Sequence, residues 1–259
     1  MAPFRVALVY TDEGKAVPSF VTDALAAAPQ EIVLNVSTCF DQSWDFADGQ
    51  PTLLTDKVVK AAADADVLWV FGGAKLSPDT LPLLPKLKAV IRSGSGTDNI
   101  PVDACSAHNV VVVNTPRATV HPVSDHAIAL LFSLTRQIAR HAALTRSGVW
   151  DRHAAPTPFE LHGTTLGFVG FGAIPRMILR KLQHFGQRYL VYDPMLKVAD
   201  VAAEVTEQGI AASVELVPTL DQLCKCSDIV SVHAPLIDAT VGLLGADSFR
   251  AMKPTGELC

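Results

Sequence analysis

Between Leu166 and Met177 the sequence reads LGFVGFGAIPRM, and few stretches restrict the fold of a chain as tightly. The run Leu166–Val169 is apolar and strand-like, whereas Ala173–His184 has helical spacing. Gly170 and Gly172 stand where one gives way to the other. The first permits a tight turn, and the second lets the backbone approach a pyrophosphate. Amides at the start of the helix, Ala173 and Ile174 among them, then meet the phosphates with the positive end of the helix dipole behind them. Asp193 closes the next strand-like run, YLVYD, 23 residues beyond Gly170. A carboxylate there accepts hydrogen bonds from the adenosine ribose hydroxyls and repels a 2′-phosphate, so the spacing predicts NAD in preference to NADP.

The third glycine of such a turn is Pro175 here. Proline is tolerated in a first helical turn, whose N–H groups have no intrahelical partner. Its ring nevertheless occupies the space where helix and strand pack closely, and it disfavours helical geometry at Ile174. The expectation is weakened NAD binding.

Upstream, apolar strand patterns alternate with helical ones, the signature of a parallel sheet. FRVALVY, EIVLNVS, DVLWVFGG and LKAVIRSG read as strands; VPSFVTDALAAA and LLTDKVVKAAADA read as helices. The expected division is a small open α/β domain over residues 1–100 and a dinucleotide-binding domain over 101–259. The second opens with a strand, NVVVVNT, and one long helix over 122–147. In that helix Val123, Ala127, Leu130, Leu131, Leu134 and Ile138 recur at helical spacing, and Gly148 ends it. Residues 151–164 are polar and proline-containing, which predicts a loop.

The 21 basic and 26 acidic residues are interspersed and leave a net charge of −5, which gives a nucleic-acid role no electrostatic support. The first residues lack a signal-peptide pattern, and no apolar run approaches a membrane span, so the expected location is the cytoplasm. Five cysteines without a secretory signal argue against a disulfide framework. Cys224 and Cys226 lack the two-residue spacing of a zinc or redox pair, so no metal is expected.

The assembled blocks resemble the D-isomer-specific 2-hydroxyacid dehydrogenase family, which includes phosphoglycerate, glycerate and formate dehydrogenases. They are LKAVIRSGSGTDNIPVDA, VVVNTPRATVHPVSDHAIALLFSLTRQI, SGVWD, ELHGTTLGFVGFGAI, YDP and LDQLCKCSDIVSVHAPLIDATVGLLGADSFRAMKP, in the family's order. The resemblance implies an α/β protein with a flavodoxin-like N-terminal domain, lacking its C-terminal helix, and a Rossmann-type NAD-binding domain missing its second half. It implies an active site between the two. The loop Ser93, Gly94, Ser95, Gly96 would hold a substrate carboxylate on its backbone amides, and small residues suit that task. His233, Ala234 and Pro235 match the segment along the adenosine side of the cofactor. The helix over 122–147 matches the family's dimerisation element, which implies a homodimer.

The family's arginine, glutamate and histidine of hydride chemistry lie downstream of the block matching FRAMKP, and the sequence given stops at Cys259. Impaired hydride transfer is therefore the expectation. Arg92, Arg117, His121 and His126 are the other candidates for carboxylate attraction or proton transfer, although Arg92 at a strand end and His126 within a helix suit structural roles. The strand DIVSVHA would form an open sheet edge that invites self-association. Three readings stay open: a NAD-linked dehydrogenase, a non-redox cyclase, isomerase or lyase using the retained cleft, and a non-catalytic dimeric binding module.

Overall fold

The structure, a computed structural model, describes residues 4–10, 23, 26–27, 34–40, 52–71, 74–151, 153–154, 156, 158–207, 209–210 and 212–259. The chain divides into two compact units, Met1–Thr119 and Val120–Cys259. The division falls later than the expected 100/101. The strand expected to open the second domain instead extends the sheet of the first, held by its neighbour's backbone hydrogen bonds.

In the first unit β1 (Phe4–Tyr10), β2 (Leu34–Phe40), β4 (Val67–Val70), β6 (Ala89–Arg92) and β7 (Val111–Asn114) form one sheet in the order β2-β1-β4-β6-β7. Every pairing is parallel, so connections must cross over the faces. Leaving aside β3 (Thr52–Leu53) and β5 (Ala74–Lys75), which pair separately, this is the flavodoxin-like order. Alternation sends Ala7, Val9, Leu68, Val70 and Val90 into one core. There they meet Val58, Val59 and Ala62 of α1 (Asp56–Ala62) and Cys105 of α2 (Val102–Ala107). The expected helix over 17–28 lies largely outside the described residues; Asp23 and Ala26 are helical.

The second unit opens with α3 (Val120–Thr135) and α4 (Ile138–Arg146), not with one helix over 122–147. The break is a competition for one carbonyl. Thr135 O accepts from Phe159 N at 3.1 Å, and Gln137 turns left-handed at φ 53°. A loop residue outside the helix thus takes an acceptor the helix would have used. Val120, Ser124, Leu131 and Thr135 form the buried face of α3, while Val123, Leu130 and Ile138 stay 41%, 49% and 52% exposed.

The sheet of this unit comprises β8 (Thr165–Val169), β9 (Arg188–Tyr192), β10 (Ser213–Leu216), β11 (Ile229–Val232) and β12 (Glu257–Leu258), all parallel, in the order β10-β9-β8-β11-β12. The chain starts at the centre, runs outward through β9 and β10, then returns past β8 to place β11 on its other side. The sheet carries β11 and the two-residue β12 beyond the first mononucleotide half, so the domain is incomplete as expected, and the expected gap narrows from the whole second half to part of it. The expected open edge at β11 is corrected too, because Ile229 and Val230 pair with Glu257 and Leu258.

Between the strands run α5 (Ala173–Leu182), α6 (Val198–Glu207), α7 (Leu220–Cys226) and α8 (Ala246–Ala251). In α5 the residues Pro175, Ile178, Leu179 and Leu182 recur at helical spacing, and all four are buried. Ile178, Leu179 and Leu182 pack with Phe168, Tyr189 and Val191 of the sheet. Among the described residues no helix is long and apolar enough to cross a membrane.

Candidate functional site: a glycine turn at the sheet's switch point

Strand order reverses at β8, since its successor in the chain lies on one side and β11 on the other. Ligands of open α/β sheets bind beyond the C-terminal strand ends at such a point. Gly170 follows β8 there with φ 85°. A Cβ on Gly170 would stand 3.0 Å from His233 O and 3.1 Å from Ala234 N, so the turn can close against the end of β11 only without a side chain. Gly172 is the opposite case. Nothing lies within 4 Å of its ideal Cβ position, so the space beside it is open at the start of α5. That openness, together with a helix N-terminus, is what a pyrophosphate requires.

Pro175 is buried in the first turn of α5, and Ile174 before it is helical. The expected distortion at Ile174 is corrected: at this position a proline forfeits no intrahelical bond, and the helix forms from Ala173 onward. Asp193 does more than the sequence suggests. Its Oδ2 accepts from Phe171 N at 2.9 Å, and its Oδ1 accepts from Met195 N at 2.9 Å. The carboxylate pins the glycine turn to the end of β9, and each oxygen keeps a further lone pair for a ribose hydroxyl. Beside it lies a cavity of about 550 Å³ lined by Tyr192, Asp193, Leu196, Lys197, Val217 and Pro218. A smaller one of about 250 Å³ is lined by Ala234, Pro235, Leu236 and Thr240. The residues present fit a dinucleotide.

His233 packs its ring 5.8 Å from that of Phe168, and its Nε2 lies 2.8 Å from Ser231 Oγ. Burial pushes its pKa down to about 4. An unfolded histidine titrates near 6.5, so between those values the unfolded chain takes a proton that the folded chain refuses. Stability from this group is therefore complete above about pH 6.5 and lost as the pH falls toward 4, by at most about 3 kcal/mol. Urea midpoints at pH 7.5 and pH 5 should differ more for the natural chain than for His233→Gln. Parallel profiles would remove His233 from the acid sensitivity.

In the first unit the loop Ser93–Gly96 follows β6. Gly94 N donates to Thr115 Oγ1 at 2.8 Å, Thr115 N returns a bond to Gly94 O, and Asn114 Nδ2 donates to Ser95 O. The loop is thus staked to the end of β7. The amides of Ser95 and Gly96 have no acceptor among the described residues. Gly94 has φ 137°, and the Arg92 guanidinium lies where a Cβ would be. Arg92 Nη1 donates to Ser93 O at 2.8 Å.

Arg117 is exposed in the turn after β7, and His121 and His126 are exposed on α3. Cys224 is fully buried, where burial raises its thiol pKa, whereas Cys226 is exposed, so the two thiols do not converge. Sequence reasoning missed Ser231, Asn114 and Thr115. Ser231 was accessible through strand alternation, which puts residues two apart on one face. The staking role of Asn114 and Thr115 depends on β7 joining β6.

A family model described as D-isomer specific 2-hydroxyacid dehydrogenase, NAD binding domain, matches residues 128–258. D-3-phosphoglycerate dehydrogenase of Mycobacterium leprae is 36% identical over 198 residues, which cover 76% of this chain and 36% of that protein. Hydroxypyruvate reductase of Thermotoga maritima is 32% identical over 198 residues, covering 76% and 60%. The chain thus spans about a third of the length of the phosphoglycerate dehydrogenases it matches. Among solved structures, the apo form of D-lactate dehydrogenase from Escherichia coli aligns with a TM-score of 0.74 at 26% identity, covering 98% of this chain and 72% of that one. The pyruvate reductase of Chlamydomonas reinhardtii aligns with a TM-score of 0.74 at 25% identity, covering 99% and 68%.

Proposed function

Because the chain belongs to the D-isomer-specific 2-hydroxyacid dehydrogenase family and carries its NAD-binding domain, we propose that Gly170, Gly172, Ala173, Ile174, Asp193, His233, Ala234 and Pro235 hold NAD(H). We propose further that Ser93, Gly94, Ser95 and Gly96 hold the carboxylate of a 2-hydroxy or 2-keto acid. The observation that carries the reading is the pairing of a closed Gly170 with an open Gly172 at the switch point. When bound, the nicotinamide supplies hydride transfer. The protein's own part is to cradle the pyrophosphate on the first amides of α5, anchor the ribose on Asp193 and neutralise the acid on the loop amides.

Hydride transfer is impaired in this proposal. The histidine beside the glycine turn is His233, and burial keeps it neutral near pH 7. A general acid needs a pKa near the working pH to deliver a proton. Association as a homodimer in the cytoplasm completes the proposal, supported by the exposed apolar residues Val123, Leu130, Ile138 and Trp150.

Calorimetric titration should give NAD a dissociation constant in the micromolar range, with NADP weaker by tenfold or more. NADH oxidation with pyruvate or glyoxylate should run at least 100-fold below the rates normal for the family, and light scattering should return the mass of a dimer. Absent NAD binding would overturn the cofactor site. Full turnover would overturn the impaired reading.

A further inference from the structure

At the C-terminal end of β4, Trp69 and Phe71 stack with ring centroids 5.4 Å apart and an interplanar angle of 21°. Trp69 lies on β4 and Phe71 is the residue after its end, two positions on. Ser93, the first residue of the acid loop, extends the neighbouring strand β6 beside them, and Trp69 Nε1 donates to its Oγ at 2.8 Å. That bond fixes the indole against the loop and uses its single polar atom. Beside Ser93 the pair is otherwise carbon.

The charges around the loop restrict the ligand further. Arg92 spends a guanidinium nitrogen on Ser93 O. Asp98 places a carboxylate oxygen 2.6 Å from the ideal Cβ position of Gly96, beside the amide proposed to meet the ligand. Two unpaired amides and one cation suit a single carboxylate. A second anionic group beside Gly96 would meet repulsion from the Asp98 carboxylate, and burying a charge unpaired is strongly unfavourable.

Resting on the reading of Ser93–Gly96 as a carboxylate loop, we propose that the acid taken by this chain bears an apolar side chain, best an aromatic one, that packs on Trp69 and Phe71. Phosphorylated acids of the kind named for the phosphoglycerate dehydrogenases are disfavoured.

The test is calorimetric titration of the full chain, with NADH present, against phenylpyruvate, pyruvate and 3-phosphoglycerate. Phenylpyruvate is expected to bind at least tenfold more tightly than either of the others. Phe71→Ala should cut that preference below threefold. Trp69→Phe keeps a ring and loses only the bond to Ser93, so it should retain most of the preference. Circular dichroism melts confirm that each variant folds. Tighter binding of 3-phosphoglycerate, or an undiminished preference in Phe71→Ala, overturns the apolar-substrate proposal alone. Failure of all three acids to bind, with NADH still bound, overturns the carboxylate-loop reading and this inference with it.

Discussion

Gly172→Ala should leave the melting temperature of the chain within about 1 °C of the natural protein and weaken NAD binding at least tenfold, whereas Gly170→Ala should damage both. The two glycines lie two residues apart and differ in what surrounds them. At Gly172 an added methyl meets nothing within 4 Å, so the folded chain gains no clash. The methyl instead fills the space through which a pyrophosphate would reach the first amides of α5. At Gly170 the methyl is forced into a φ of 85°, which costs a non-glycine residue about 1–2 kcal/mol. It also presses on His233 O and Ala234 N, backbone atoms that cannot rotate away. A total of about 2–4 kcal/mol is expected, in the range of strained special positions. Thermal melts and calorimetric NAD titration on the same preparations separate the effects. Equal loss of stability in both variants would show that Gly172 serves packing and not the cofactor.

Phe168→Ala is expected to destabilise the second unit by about 3–5 kcal/mol, read as a shift of the urea midpoint. Phe168 is fully buried on the central strand of its sheet, and three rings surround it. Tyr189 stacks at 6.1 Å, Phe171 lies at 6.2 Å and His233 at 5.8 Å. Removing the ring leaves a cavity that the neighbouring strands β9 and β11, hydrogen-bonded on both sides, can only partly close. The same change admits water to the imidazole of His233. Its pKa, held near 4 by burial, should therefore rise toward 6.5 and be visible in a proton NMR titration. Phe168→Leu keeps most of the volume and should lose no more than about 1.5 kcal/mol. A loss under 1 kcal/mol for Phe168→Ala would show that the central strand does not depend on this ring.

Much of the candidate site was legible before any coordinates. The glycine turn, the strand before it, the helix after it and Asp193 all emerge from spacing within about 25 residues. The small residues of Ser93–Gly96 marked a loop with exposed amides. Asp193 as a clamp on Phe171 and Met195 was not legible, because a carboxylate's partners depend on how a turn folds back on it. Nor was the neutrality of His233, which follows from the ring of Phe168 lying across the strand ladder, 65 positions earlier in the chain.

By itself the sequence determined the alternation of strands and helices, the placement of the nucleotide turn and the buried face of α5. Those features depend on steric and hydrogen-bonding preferences of residues close together in the chain, and periodicity records them directly. Only the tertiary structure decided that β7 completes the first sheet, that Phe159 interrupts the helix at Thr135 and that β12 covers the edge of β11. In each case two backbone segments separated by some 20 residues or more compete for, or share, the same hydrogen-bonding groups. Such a contest is settled by which segments the packed core brings together, and side-chain pattern along one segment carries no record of it.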